Sequence, residues 1–307
     1  MKILLHPPRT GAGEWRAALA AALPEAAIGV WPDAPSETDY ALVWKPPAEL
    51  FARVRPKKAI FNLGAGVEAL LAAPMLPTDV PVIRLEDAGM AEQMAEYVTL
   101  AALRVYREVD AYAAQQRAGC WEPRPRIPKS AFGVGILGVG VLGQAVASAL
   151  APFGFPLRGW SRERKRLPGV ESFAGRAELQ PFLAASQVLV CLLPSTPDTR
   201  GLLDRSALNA LPRGAHLVNI ARGDIVVDDD LLAALDGGHV AGATLDVFRD
   251  EPLPVGHAFW HHPRITLTPH VSAVTLVEDS VAQVAGKIRR LERGEPVTGI
   301  VDRARGY

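Results

Sequence analysis

The sequence predicts an α/β protein made of two doubly wound units, each built on a parallel sheet. Three observations lead there. Short apolar runs alternate with helical patterns along nearly the whole chain, which calls for parallel strands covered on both faces. A proline-bearing segment, "AGCWEPRPRIPKS" (118–130), interrupts that alternation after one long helical stretch. A glycine-rich turn, "GVGILGVGVLG" (133–143), follows at once and opens a second alternating series. A chain of 307 residues is comfortable for two domains.

In the first series, "KILLH" (2–6), "AAIGV" (26–30), "YALVW" (40–44), "KAIFNL" (58–63) and "PVIRL" (81–85) read as strands. "EWRAALAAAL" and "AGVEALLAA" read as helices between them. Residues 91–117 form one continuous helical pattern rich in Ala, Glu and Arg. The second series contains the strand-like runs "FGVGIL", "FPLRGW", "QVLVCLL", "AHLVNI", "HVAGATLDV" and "RITLTP", and it closes on an amphipathic helix over 275–294.

Composition narrows the function classes. Lys+Arg and Asp+Glu are both 33, so nothing suggests a nucleic-acid or anionic-membrane partner. No apolar run is long enough to span a bilayer. The two cysteines support neither a disulfide framework nor a metal site, so no metal and a reduced, cytoplasmic setting are expected.

The glycine-rich turn contains G-x-G-x-x-G twice, at Gly133, Gly135, Gly138 and again at Gly138, Gly140, Gly143. A dinucleotide turn needs a strand before it and a helix after it. Only the second copy has both, with "FGVGIL" upstream and "GQAVASALA" downstream. Gly138 would make the tight turn, Gly140 would let backbone approach a pyrophosphate, and Gly143 would let helix and strand pack closely. The bland alternative is a glycine-rich packing device.

The end of the next strand bears on which dinucleotide binds. An NAD site places an acid there for the ribose 2′-OH. Here Ser161 takes that position, with Arg162, Arg164, Lys165 and Arg166 behind it. Guanidinium groups suit a 2′-phosphate that a carboxylate would repel. The expectation is therefore NADPH, with NADH weaker and Arg162 the leading phosphate contact; a solvated basic loop is the alternative.

Hydride transfer to a carbonyl also needs a proton donor and a group to hold the substrate anion. Of the histidines, His270 alone lies just past a convincing strand in the second series, in "ITLTPH". By itself it reads more readily as a structural or surface histidine. "NIARGDIV" places Arg222 just past another strand, and "TLDVFRDEPLP" supplies Asp246 and Glu251.

The ordered set "GILGVGVLG", "LLPSTPDTRGL", "NIARG", "LDVFRDEPLP" and "TPH" resembles the D-isomer-specific 2-hydroxyacid dehydrogenases over essentially the whole chain. "WSRERK", "PGVESFAGR", "RLEDAGMAEQMAEY" and "VDRARGY" bring it nearest to the glyoxylate/hydroxypyruvate reductase A group. The resemblance implies a Rossmann cofactor domain (98–274) inserted into a flavodoxin-like substrate domain (1–97 and 275–307). It also implies NADPH-dependent reduction of glyoxylate and hydroxypyruvate by a homodimer. A dehydrogenase for another 2-ketoacid and a dinucleotide-sensing, corepressor-like binding protein are the alternatives.

The resemblance further assigns roles. His270 would be the general acid, Glu251 its hydrogen-bonding partner, and Arg222 the clamp on the substrate carboxylate. Val141, Leu142, Leu193, Pro194, Thr199, Ile220, Ala221 and Asp246 would line the cofactor, Asp246 at the nicotinamide carboxamide. Ala65 and Gly66, in "NLGAGVE", would offer backbone amides to the substrate, and Trp44 an aromatic wall. Glu251 is a true acid, whereas the formate dehydrogenase branch has glutamine there.

Overall fold

Alternate residues of the central strands serve opposite faces, which is why both faces of each sheet need helices. The computed structural model describes residues 1–8, 11–33 and 36–307. The described chain forms two compact units, Met1–Met90 with Thr275–Tyr307, and Ala91–Val274.

The first unit contains β1 (Lys2–His6), α1 (Ala12–Ala22), β2 (Ala27–Val30), β3 (Glu37–Val43), α2 (Leu50–Arg53), β4 (Arg55–Asn62), α3 (Glu68–Leu71) and β5 (Val82–Arg84). The strands are all parallel, in the order β2-β1-β3-β4-β5. That order reverses between β1 and β3, the position at which doubly wound sheets open a ligand crevice.

The second unit contains α4 (Met90–Tyr106), α5 (Val109–Arg117), β6 (Val134–Leu137), α6 (Val141–Leu150), β7 (Leu157–Ser161), β8 (Val170–Ala174), α7 (Leu179–Ala184), β9 (Val188–Cys191), α8 (Arg205–Ala210), β10 (Ala215–Asn219), α9 (Asp228–Asp236), β11 (Val240–Leu245) and β12 (Ile265–Leu267). Its seven-stranded sheet runs β12-β11-β10-β9-β6-β7-β8, again wholly parallel, and this is the Rossmann order. Val188 and Val190 of β9 enter one buried cluster with Val134, Ile136 and Val218, while Leu189 and Cys191 enter another with Leu137 and Leu217. The chain returns through α10 (Val277–Glu292), which belongs to the first unit and packs on α1. No helix among the described residues is long and apolar enough to cross a membrane.

Two elements differ from the sequence expectation. The helical pattern over 91–117 is broken: α4 stops at Tyr106, and Glu108 takes a left-handed conformation (φ 52°) before α5. The reason is tertiary. Tyr106 packs edge-on against Phe132 and Phe155, each with its ring centroid 5.0 Å away, and Arg124 Nε donates to the Glu108 carboxylate at 2.7 Å. The strand β8 had no strand expectation, because "VESFA" carries too few apolar residues to signal one. The first crossing between units falls at Met90–Ala91, since Val98, Ala101 and Ala102 of α4 pack into the second unit's core.

One core histidine ties stability to pH. His216, on β10, is 8% exposed and bonds Thr244 Oγ1 at 3.0 Å. Burial pushes its pKa from 6.5 down to about 4. Between those values the unfolded chain binds the extra proton, so folding stability rises with pH. The contribution is complete above pH 6.5 and is lost as pH falls towards 4. Chemical denaturation should show the native protein losing on the order of 3 kcal/mol through this window. His216→Asn should flatten that dependence, and an unchanged slope would assign it to other groups.

Candidate active site

Because the strands of the second unit are parallel, their carboxyl ends share one edge. Gly138 follows β6, Ser161 ends β7, Leu193 follows β9, Arg222 follows β10, Asp246 follows β11 and His270 follows β12. Adjacent strands lie about 4.8 Å apart, so β10 and β12 deliver their residues roughly 10 Å from each other.

The glycines of the turn have separate jobs. Gly138 takes φ 99°, and a Cβ on it would lie 2.9 Å from Leu192 O. A Cβ on Gly143 would sit 2.1 Å from Gly138 O, so only glycine lets α6 start this close to β6. A Cβ on Gly140 would meet nothing within 4 Å, which leaves that backbone open to a ligand. Gly133 and Gly135 are buried instead, their Cβ positions 2.5 Å from Ala185 O and 2.0 Å from Ser186 Oγ, so the first copy of the motif is sheet packing. The first intrahelical bond of α6 runs from Gln144 N–H to Gly140 O (2.9 Å). The amides of Val141, Leu142 and Gly143 therefore precede the helical ladder, the arrangement that binds phosphate. Val141 is 48% exposed beside them and Leu142 half-buried.

β7 ends on Ser161 where an acid would stand, and its Oγ donates to Glu163 O (2.6 Å). Arg162, Arg164, Lys165 and Arg166 are all exposed. Arg164 is engaged by Glu178 and Ser172 O, while Lys165 Nζ donates to Val139 O within the glycine turn (3.3 Å). Open backbone at Gly140, uncommitted helical amides and cations in place of an acid fit a phosphorylated dinucleotide.

Past β9, Thr199 Oγ1 donates to Pro194 O (2.6 Å) and accepts from Thr196 N–H (2.8 Å), so Thr199 shapes the turn that presents Pro194. Ser195 Oγ donates to Asp224 Oδ2 (2.6 Å), tying this turn to the loop after β10. Leu193, Ile220 and Ala221 have buried side chains and can offer a ligand little beyond backbone.

Arg222 is half-buried on extended backbone, with Nη1 donating to Ala221 O (2.6 Å). The following residue, Gly223, lies so near the next loop that a Cβ would fall 1.9 Å from the Phe248 carbonyl carbon. That approach draws the Arg222 loop against the loop carrying Glu251. Phe248 N–H donates to Glu251 Oε1 (3.1 Å), and Glu251 Oε2 meets His270 Nδ1 at 2.8 Å. The His270 side chain is 43% exposed, and its Nδ1 is committed to Glu251. Nε2 is thus the nitrogen placed to exchange a proton with a bound molecule.

Asp246 lies directly after β11, where the sequence reading placed it. It is fully buried, and its carboxylate accepts from Thr268 Oγ1 (2.5 Å), Val271 N–H (2.8 Å) and Ser272 N–H (2.8 Å). These bonds hold the His270 loop in place.

In the first unit, Asn62 Nδ2 donates to Gly64 O and Gly66 O, each at 2.8 Å, and so organises the loop containing Ala65 and Gly66. The ring of Trp44 lies on Gly64, where a Cβ would be 2.1 Å from Trp44 Cζ3. Sequence reading missed Asn62, Gly64, Gly223 and Thr268; glycine or an amide flanking a strand end was the only local signal.

The chain is similar to known proteins over its whole length. Residues 99–272 match the family model described as D-isomer specific 2-hydroxyacid dehydrogenase, NAD binding domain. The chain is similar to a D-isomer specific 2-hydroxyacid dehydrogenase from Xanthobacter autotrophicus solved in complex with NADPH and MES, at 44% identity and TM-score 0.94 over 100% of this chain and 99% of that one. It is also similar to an NADPH-dependent glyoxylate/hydroxypyruvate reductase from Sinorhizobium meliloti solved with NADP and sulfate, at 37% identity and TM-score 0.92 over 100% and 99% of the two chains.

The glycines make a separable prediction. Gly140→Ala should fold with Tm essentially unchanged yet lose dinucleotide affinity in a fluorescence titration. Gly143→Ala should cost about 1–3 kcal/mol of stability, because its Cβ must displace backbone. Equal Tm losses in both variants would contradict the division of roles.

Proposed function

The chain belongs to the D-isomer specific 2-hydroxyacid dehydrogenases, and on that premise we propose that it reduces glyoxylate to glycolate and hydroxypyruvate to D-glycerate with NADPH. The observation that carries the reading is the His270–Glu251 pair at 2.8 Å, on a sheet edge that also presents Arg222 and the open glycine turn.

When bound, the nicotinamide supplies a hydride to the keto carbon. The chain's residues do the rest. Glu251 holds His270 through Nδ1, and His270 delivers the Nε2 proton to the carbonyl oxygen, giving the 2-hydroxyacid. Arg222 pairs with the substrate carboxylate and polarises the ketone. Ala65 and Gly66 are proposed to offer backbone amides to the substrate. Trp44, seated on Gly64, limits the room for a substrate side chain, which favours small ketoacids.

The choice of NADPH rests on the serine and cations that end β7, and similar proteins were solved with NADPH or NADP. Arg162 is the proposed 2′-phosphate contact. The chain is further proposed to act in the cytoplasm as a homodimer. Exposed Leu100 (69%) and Trp121 (99%), on α4 and on the segment after α5, support such an interface.

His270→Gln should lower kcat by about 10²–10⁴-fold while the Kd for NADPH stays near that of wild type. Arg222→Ala should raise KM for the ketoacid and lower kcat together. Turnover near wild type in either variant would refute its assigned role. Steady-state kinetics should also give a higher kcat/KM with NADPH than with NADH. Arg162→Ala should raise the KM for NADPH roughly tenfold and leave NADH unaffected; a wild-type preference for NADH would overturn the cofactor assignment.

A further inference from the structure

We propose that Gln93 and Tyr97, both on α4, are positioning residues for His270 that clamp its loop at the two ends. The proposal rests on the reading of His270 as the proton donor. Residues 93 and 97 are four apart on a helix and so share one face. That face meets the segment 268–274, which follows the last strand and has no regular secondary structure.

At the start of the segment, Tyr97 OH and Thr268 Oγ1 are 2.6 Å apart. Thr268 Oγ1 is also 2.5 Å from Asp246 Oδ1. A carboxylate only accepts, so the Thr268 hydroxyl gives its single proton to Asp246. Tyr97 must then be the donor to Thr268. The result is a one-way chain from phenol to hydroxyl to carboxylate. Burial raises the Tyr97 pKa, which keeps the phenol a donor.

At the other end, the Gln93 amide bonds Val274 twice. Val274 N–H donates to Gln93 Oε1 and Gln93 Nε2 donates to Val274 O, each at 3.0 Å. Two bonds to one residue fix both its position and its direction.

Between these anchors the backbone is under strain. His270 has φ 55°, a region that residues with a Cβ rarely enter. Its N–H is held by Asp246 O (2.8 Å) and Thr268 O (3.1 Å), and the next two amides by the Asp246 carboxylate. Such a conformation persists only where its surroundings impose it. Asp246 grips the segment from below, while Gln93 and Tyr97 stop it from relaxing at either end. Relaxation would carry the imidazole away from Glu251. A displacement of about 1 Å can cost on the order of 100-fold in rate.

The test uses the full-length protein with NADPH and glyoxylate. Tyr97→Phe, Thr268→Val and Gln93→Leu should each lower kcat roughly 10- to 100-fold while the KM for NADPH stays near wild type. Thr268→Ser should restore kcat, because it keeps the hydroxyl. Tyr97→Phe with Thr268→Val should be no worse than Thr268→Val alone, since both cut one chain. Normal kcat in Tyr97→Phe and Thr268→Val would overturn the proposal. So would a loss of Tm with kcat and NADPH KM degraded alike and no rescue by serine. His270→Gln run alongside separates the two claims. If it is inactive and the clamp variants are normal, only the clamp fails; if it turns over freely, the reading of His270 itself fails.

Discussion

The carboxylate of Asp246 is the point on which the candidate site's His270 loop depends. It has no exposed surface, and a buried carboxylate is tolerated only when donors surround it. Here those donors are Thr268 Oγ1 and the amides of Val271 and Ser272. The same bonds that satisfy the charge bend the backbone at His270 into a left-handed conformation. The ring is thereby turned outward, with Nδ1 against Glu251 and Nε2 available. The donors gathered around a buried carboxylate thus set the direction in which the His270 ring faces.

Steric exclusion supplies the second constraint. Gly143 allows α6 to begin against Gly138 O, Gly223 allows the Arg222 loop to touch the loop of Glu251, and Gly64 gives Trp44 a flat seat. In each case a single methyl group would sit within van der Waals distance of atoms that have nowhere to go. Interiors are packed densely enough that such contacts cannot be relieved locally. The open backbone at Gly140 stands apart from these: it is glycine with space above it, which fits a site meant to be filled by something other than protein.

The charges after β7 show why a run of like residues need not act as one. Four cations follow Ser161, but Arg164 is drawn to Glu178 and to Ser172 O, and Lys165 leans on Val139 O. Exposed ion pairs of this kind contribute little stability. Their effect is to sort the cluster, keeping Arg164 and Lys165 at fixed places.

The amino-acid sequence by itself determined the strand–helix alternation, the division into two units, which copy of the glycine motif joins a strand to a helix, and the arrival of Arg222 and His270 just past strand ends. All of these are local properties: periodicity, breaker residues and spacing are written within a few positions of one another. Only the tertiary structure decided the break at Glu108, the strand β8, the inward role of Asp246 and the grip of Gln93 and Tyr97 on the His270 loop. Each depends on partners far away in the chain, such as Tyr97 with Thr268 or Tyr106 with Phe155. No pattern in a stretch of sequence specifies which distant hydroxyl or ring will arrive beside it, because the packing of α4 into the core of the second unit brings those residues together.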